Sequence, residues 1–238
     1  MEEILKKYEE KLLRKIKRRL DFIRFSSKDY NDDPDAIDLL FLSCIHEAAH
    51  AALTLCIYRE LDVFTLKKLS ITLDSVIEGQ TDTTVWYSGS IYRIINQFIA
   101  KPLIFISGAE AGMYFVEEFG DRFIINFKDI QENQLVKEVD YVDAVDIRSI
   151  DNFVGVFGGI DDYRKFKSIY NSNIMFGLFR KVVRASFKDP IFRLMHLNLV
   201  LELLRTKPKL GKINLKSRHI KKNIFISNIM GEKLRELD

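Results

Sequence analysis

The chain has 238 residues, 47% of them hydrophobic and 30% charged, with a formal net charge of +3. That mixture fits one large globular domain, or a domain with a small appendage, and excludes a mostly disordered chain. With only 11 Gly and 4 Pro, long helices are favoured over a many-turned β-sandwich, and two cysteines exclude a disulfide scaffold.

In chain order, Glu2–Phe25 places Ile4, Leu5, Tyr8, Leu12, Leu13, Ile16 and Leu20 at helical spacing between charges. This predicts an amphipathic helix that packs on the body or on a partner subunit. Ser26–Asp35 reads as a polar connector. Asp33-Pro34 then marks a helix start, and the helix from about Pro34 to Tyr58 is apolar nearly all round, as a buried central helix is. Two β-prone runs follow, Lys67–Leu73 and Thr81–Tyr87, with a turn expected around Glu78-Gly79 and antiparallel pairing between them. Ile91–Phe119 predicts a second apolar helix. Asp121–Val156 contains a short β-prone run, Phe123–Phe127, followed by acidic sequence. Beyond Gly158-Gly159, Asp161–Phe187 predicts one helix, Asp189-Pro190 opens another to about Leu204, and Leu215–Leu237 predicts a last one. The expected fold class is mainly α with a small β element.

Cys44 and Cys56 share the central helix, about 18 Å apart at 1.5 Å rise per residue, too far for a disulfide. Reduced cysteines, a charged N-terminal segment unlike a signal peptide and no uncharged apolar run of spanning length lead to the expectation of a cytoplasmic protein without a membrane span. Charge is uneven. Asp129, Glu132, Glu138, Asp140, Asp143, Asp146 and Asp151 make one stretch acidic. Residues 205–222 are basic, and no Asp or Glu lies between Glu202 and Glu232. Solvated, mutually attractive surfaces account for both, and no nucleic-acid-binding motif accompanies the basic one.

The central helix carries His46-Glu47-Ala48-Ala49-His50, an H-E-x-x-H motif. Histidines at i and i+4 lie on one face, so both imidazoles can reach one metal ion. A zinc ion so held lowers the pKa of a bound water toward about 7, and the adjacent Glu47 can take its proton as general base. Three ionisable side chains in one apolar turn are costly unless they have partners. The competing reading makes His46 and His50 core histidines beside a partly exposed Glu47. A catalytic zinc takes a third protein ligand. Leu53 and Cys56 stand where the metzincin extension needs Gly and His, so the third ligand lies elsewhere: Glu110, Glu117, Glu118, Asp161, Asp162, His196 and His219 are the candidates.

Ser43–Ala52 (SCIHEAAHAA) resembles the zinc helix of the FtsH peptidase family, the protease domain of membrane-bound ATP-dependent proteases. The similarity extends over about residues 37–205, through Leu69–Leu73, Gly79-Gln80-Thr81, Ser107–Ala111 and Gly158–Tyr163. The resemblance implies a zincin-like, FtsH-peptidase-type helical domain. It makes His46, His50 and Asp162 the zinc ligands, with Asp161 the fallback, and Glu47 the catalytic base. It implies a zinc metallopeptidase acting on peptides or unfolded protein segments, and ring-like self-association as a homo-oligomer. The chain departs from the family in Ala49, which replaces a glycine inside the motif, and in the long acidic stretch before Gly158. No P-loop motif is present, so a separate ATPase partner would be needed to unfold stable substrates. The resulting division is an N-terminal amphipathic helix at 1–30, a peptidase-like domain at 31–205 and a basic C-terminal helical extension at 206–238. The alternatives are a non-catalytic module binding protein or nucleic acid, and a metal hydrolase acting on a non-peptide bond. Geometry can test the ligand set: the three ligand atoms should lie about 3–4 Å apart.

Overall fold

A computed structural model describes residues 2–26, 34–59, 64–73, 77–85, 94–123, 160–209 and 212–216. Helix α1 (Glu2–Ser26) is followed by α2 (Pro34–Arg59), strands β1 (Phe64–Leu73) and β2 (Ile77–Val85), and a π-helical turn (Asn96–Ala100) that runs directly into α3 (Lys101–Phe123). Helices α4 (Ile160–Ile169), α5 (Asn173–Ser186) and α6 (Pro190–Arg205) and strand β3 (Lys212–Lys216) complete the described chain. The fold is mainly α with a small β element, as its composition and periodicity suggest.

Helix α2 is the axis. It packs against α3, α6 and the β1–β2 hairpin, and Ala48, Ala49, Ala51 and Ala52 are without solvent exposure. Four alanines within five positions let neighbouring helices approach closely, which is why α2 lacks the polar face of a surface helix. Larger side chains fill the ends. Phe41 meets Phe115 edge-on at 5.2 Å between centroids and Phe123 at 5.3 Å. Phe115, Phe119 and Phe123 recur at i, i+4 and i+8 along α3, so one face of that helix delivers three rings to the same core. Truncating a fully buried ring such as Phe41 to Ala costs about 3–5 kcal/mol.

Helix α1 lies along α6. Leu5, Leu12, Leu13, Ile16 and Leu20 bury into the common core, while the polar side is tied down by ions and carbonyls. Arg193 reaches Glu9 with two bonds of 2.9 and 3.1 Å, and Arg19 donates to the Leu204 carbonyl at 2.8 Å. The N-terminal helix therefore packs on the body of its own chain.

The sheet has the order β2-β1-β3, all neighbours antiparallel. β1 and β2 form the expected hairpin, but Gly79 sits inside β2 opposite Ile71. The connection is thus residues 74–76, not Glu78-Gly79. Glycine marks turns only statistically, and here a ladder position takes it.

Two further expectations are corrected. Asp161–Phe187 is two helices, because Tyr170-Asn171-Ser172 leaves the helical path and Ser172 caps α5 through the Met175 N–H; local side-chain bonding of Ser and Asn competes with helix continuation. The helix expected from Leu215 to Leu237 is corrected only at Leu215 and Lys216, which belong to a strand; its remainder lies outside the described residues. Lys212–Lys216 alternates polar and apolar residues, buries Ile213 and Leu215, and pairs with the free side of β1. Period-2 alternation decided this segment. The Asp189 start signal does open α6: its carboxylate accepts from the Ile191 N–H at 2.7 Å and the Phe192 N–H at 3.4 Å. The connector at 27–33, the run Phe123–Phe127 beyond its first residue, the acidic stretch 129–151, Gly158-Gly159, His219 and the rest of the basic extension lie outside the described residues.

Two helical stretches, Ile37–Ile57 and Asn96–Gly120, are long and apolar enough to cross a membrane by length and composition. The most apolar window of the first is 83% buried inside the fold and that of the second 56%. Burial of this extent is what the core helix of a packed domain requires.

Candidate metal centre

The site forms where α2, α3 and α4 meet. His46 and His50 project from one face of α2, one turn apart, and their Nε2 atoms are 2.9 Å from each other. Asp162, in the first turn of α4, brings its Oδ2 to 3.2 Å from His46 Nε2 and 2.9 Å from His50 Nε2. Three potential ligand atoms from positions 112 and 116 residues apart thus converge on one point. Ligands held 2.0–2.2 Å from a tetrahedral zinc ion stand about 3.3–3.6 Å apart. The triad is slightly tighter than that, and an ion would spread it by a few tenths of an ångström.

The hydrogen-bond network fixes which atom of His50 faces the triad. Its Nδ1 lies 2.6 Å from the Ile104 carbonyl oxygen and 3.1 Å from Ser107 Oγ. A carbonyl oxygen only accepts, so Nδ1 carries the hydrogen, and neutral His50 presents a lone pair at Nε2. That lone pair points at a carboxylate oxygen with lone pairs of its own. Such an arrangement needs a cation between its members. Without a metal the cation is a proton: burial works to lower the pKa of His50, but the Asp162 charge and hydrogen bond overcome it and push it up to about 9. Burial alone would raise the Asp162 pKa; His50, then His46, instead hold it well below the usual carboxylate range. A backbone carbonyl on the far nitrogen of a ligating histidine is the usual means of fixing its tautomer and ring orientation.

Glu47 is buried, and one of its carboxylate oxygens lies within 4.8 Å of the ligand nitrogens of His46 and His50. Burial, then the Glu47 charge, push the Cys44 thiol well above its ordinary range. Cys44 is therefore a neutral core group, distinct from the polar cluster.

Helix α3 closes the site from the opposite side. A Cβ built at Gly108 would fall 2.4 Å from the His46 ring. Only glycine leaves room for the imidazole there. Ser107, fully buried, donates to the Ile104 carbonyl at 2.7 Å, so that oxygen receives both the serine hydroxyl and the histidine N–H. On α4, Lys165 donates to Asp162 Oδ1 at 3.2 Å, which leaves Oδ2 for the histidines.

The remaining third-ligand candidates are elsewhere. Asp161 is exposed and pairs with Arg164. Glu110 is fully buried but faces α5, paired with Arg180 and Arg184; burial raises its pKa and Arg180 opposes the rise. Glu117 pairs with Arg184, and Glu118 is exposed. His196 donates from Nε2 to the Ile45 carbonyl at 2.9 Å, and burial pushes its pKa down to about 4. Sequence reasoning missed the Ile104 carbonyl and Lys165. A main-chain acceptor has no residue signature, and Lys165 is one of many lysines until α4 is known to deliver Asp162.

Comparisons of the chain with protein-family models, curated proteins and solved structures found no match.

Proposed function

We propose that this protein is a zinc-dependent metallopeptidase. The observation that carries the reading is the convergence of His46 Nε2, His50 Nε2 and Asp162 Oδ2 within 3.2 Å of one another, in a geometry that demands a cation. Two imidazoles and one carboxylate suit a zinc ion and leave a fourth position open. When bound, zinc supplies Lewis acidity and a water of lowered pKa.

The protein's own part is positioning and proton handling. His50 is locked in register by the Ile104 carbonyl, and His46 by the close face of α3 at Gly108. Asp162 contributes one oxygen while Lys165 holds the other. Glu47 adjoins the same face of α2 and receives a proton at its carboxylate from the attacking water, then returns it to the departing amine nitrogen of the cleaved peptide. The resemblance of Ser43–Ala52 to FtsH-type zinc helices points to peptide bonds in flexible or unfolded segments and to self-association, and the reduced cysteines Cys44 and Cys56 favour a cytoplasmic setting. A zincin-like, FtsH-peptidase-type fold is part of the same proposal.

The test combines metal content with turnover of an unstructured polypeptide. The wild-type chain binds one equivalent of zinc and cleaves; His46→Ala loses the metal; Glu47→Gln keeps the metal and loses cleavage. A chain that binds no zinc, or a Glu47→Gln variant with normal turnover, contradicts the reading and favours an interaction module built on the same fold.

A further inference from the structure

Helix α5 leaves one face bare. Ile174, Leu178 and Val182 recur at i, i+4 and i+8 and are 78%, 51% and 54% exposed, while Phe176 and Val183 on the other side are buried. A Cβ added at Gly177 would meet no atom within 4 Å, so the space beside the stripe is open. A second apolar group adjoins the root of this helix. Ile94, Phe98 and Ile99 are each about half exposed. Phe98 is linked to α5 through Tyr170, whose hydroxyl donates to the Phe98 carbonyl at 2.6 Å and whose ring meets both Phe98 and Phe179. Pro102 lacks the N–H that would close on that carbonyl four residues back, which leaves the carbonyl open to Tyr170.

Along these two segments the sequence is basic. No Asp or Glu occurs between Asp162 and Asp189, and Lys101 is the single charged residue from 94 to 109. Arg180 pairs with buried Glu110 and Arg184 with the half-exposed Glu117, while Lys101, Lys181 and Lys188 are exposed. An amphipathic helix with an apolar stripe and an exposed lysine on it, with further exposed lysines beside both apolar groups, is suited to lie in the interface of an anionic bilayer, with its aliphatic side chains among the acyl chains and the ammonium groups among the phosphates. A second copy on the same face would bring the exposed Lys181 side chains of both chains together, and like charges oppose that packing.

We propose that the exposed face of α5, with the adjoining π-helical turn, docks peripherally on an anionic lipid surface. The inference stands apart from the metal reading, since none of its residues touches the triad.

The test is co-sedimentation of the full chain, with and without zinc, with vesicles of phosphatidylcholine alone or in equal mixture with phosphatidylglycerol. The expected result is binding to the mixed vesicles that weakens with salt, irrespective of zinc. Leu178→Glu should lower the partition coefficient by about tenfold or more, and Lys181→Gln by about fivefold. Ile174→Ser, at the most exposed stripe position, is a second variant with an unperturbed core and should also weaken binding. Absence of binding to the anionic vesicles overturns the proposal. So does binding that ignores all three substitutions, or a salt-independent dimer in free solution that Leu178→Glu dissolves, which would identify a second copy as the occupant.

Discussion

Asp162 Oδ2 lies 2.9 Å from His50 Nε2, across 112 residues of sequence, while the far side of the same imidazole is held by the Ile104 carbonyl. Three helices thus specify one ring. The adjacent Asp161 points to solvent and pairs with Arg164. Asp162→Ala should weaken zinc binding by about a hundredfold or more, since it removes a direct ligand. Asp161→Ala should leave it within about twofold, because an exposed ion pair contributes little. Competition with a chromophoric chelator measures both, and equal effects would mean that the α4 register differs by one residue.

Gly108 and Gly177 make opposite predictions. Gly108→Ala puts a methyl group 2.4 Å from the His46 ring, so the imidazole must move or the helices must part. Overpacking of this kind costs about 1–3 kcal/mol, and displaced His46 should weaken metal binding as well. Gly177→Ala meets open space in the middle of α5 and should stabilise the fold by about 1 kcal/mol through helix propensity. Chemical denaturation of both variants, with and without zinc, checks the contrast.

His196 provides a pH signature. Its pKa is pushed down to about 4 by burial against an ordinary value of 6.5. The unfolded chain therefore takes up a proton that the folded chain refuses. The stabilisation is complete above pH 6.5, is lost as pH falls toward about 4, and is flat below that. The full loss is about 3 kcal/mol for one buried imidazole. His196→Gln, which retains a donor for the Ile45 carbonyl, should flatten the stability profile of the metal-free chain across this window. An unchanged slope would show that His196 is hydrated or charged in the folded state.

Zinc and protons compete for the triad. With His50 pushed up to about 9 by Asp162 despite burial, the metal-free site carries a proton at neutral pH. Zinc binding should release it, so affinity should rise by about tenfold per pH unit between pH 7 and pH 8. Calorimetric titration in buffers of different ionisation enthalpy counts the proton. A pH-independent affinity would contradict the lone-pair geometry derived for His50.

Much of the fold was legible because it rests on periodicity and start signals. The all-round apolar pattern of residues 37–57 required a buried helix, and α2 is one. Asp189-Pro190 opened α6 as its chemistry dictates. Failures came where two local preferences compete. Leu215 and Lys216, where a helix was expected to begin, end a strand instead, because the free side of β1 takes that segment; Tyr170-Asn171-Ser172 interrupts a helical pattern that hydrophobic spacing alone continues. At the site, the i, i+4 histidines were readable from helix geometry. Asp162 was singled out through resemblance, since no periodicity links residue 46 to residue 162. The fit of Gly108 against His46 and the Ile104 carbonyl at His50 depend on how α3 docks, which is a property of packing.

The most direct measurement is kcat/KM for an unstructured polypeptide, taken on zinc-loaded wild-type chain and Glu47→Gln chain of equal zinc content. The account predicts that Glu47→Gln loses about two to four orders of magnitude, the contribution of a positioned general base, with zinc still bound. Equal turnover by the two chains would contradict it.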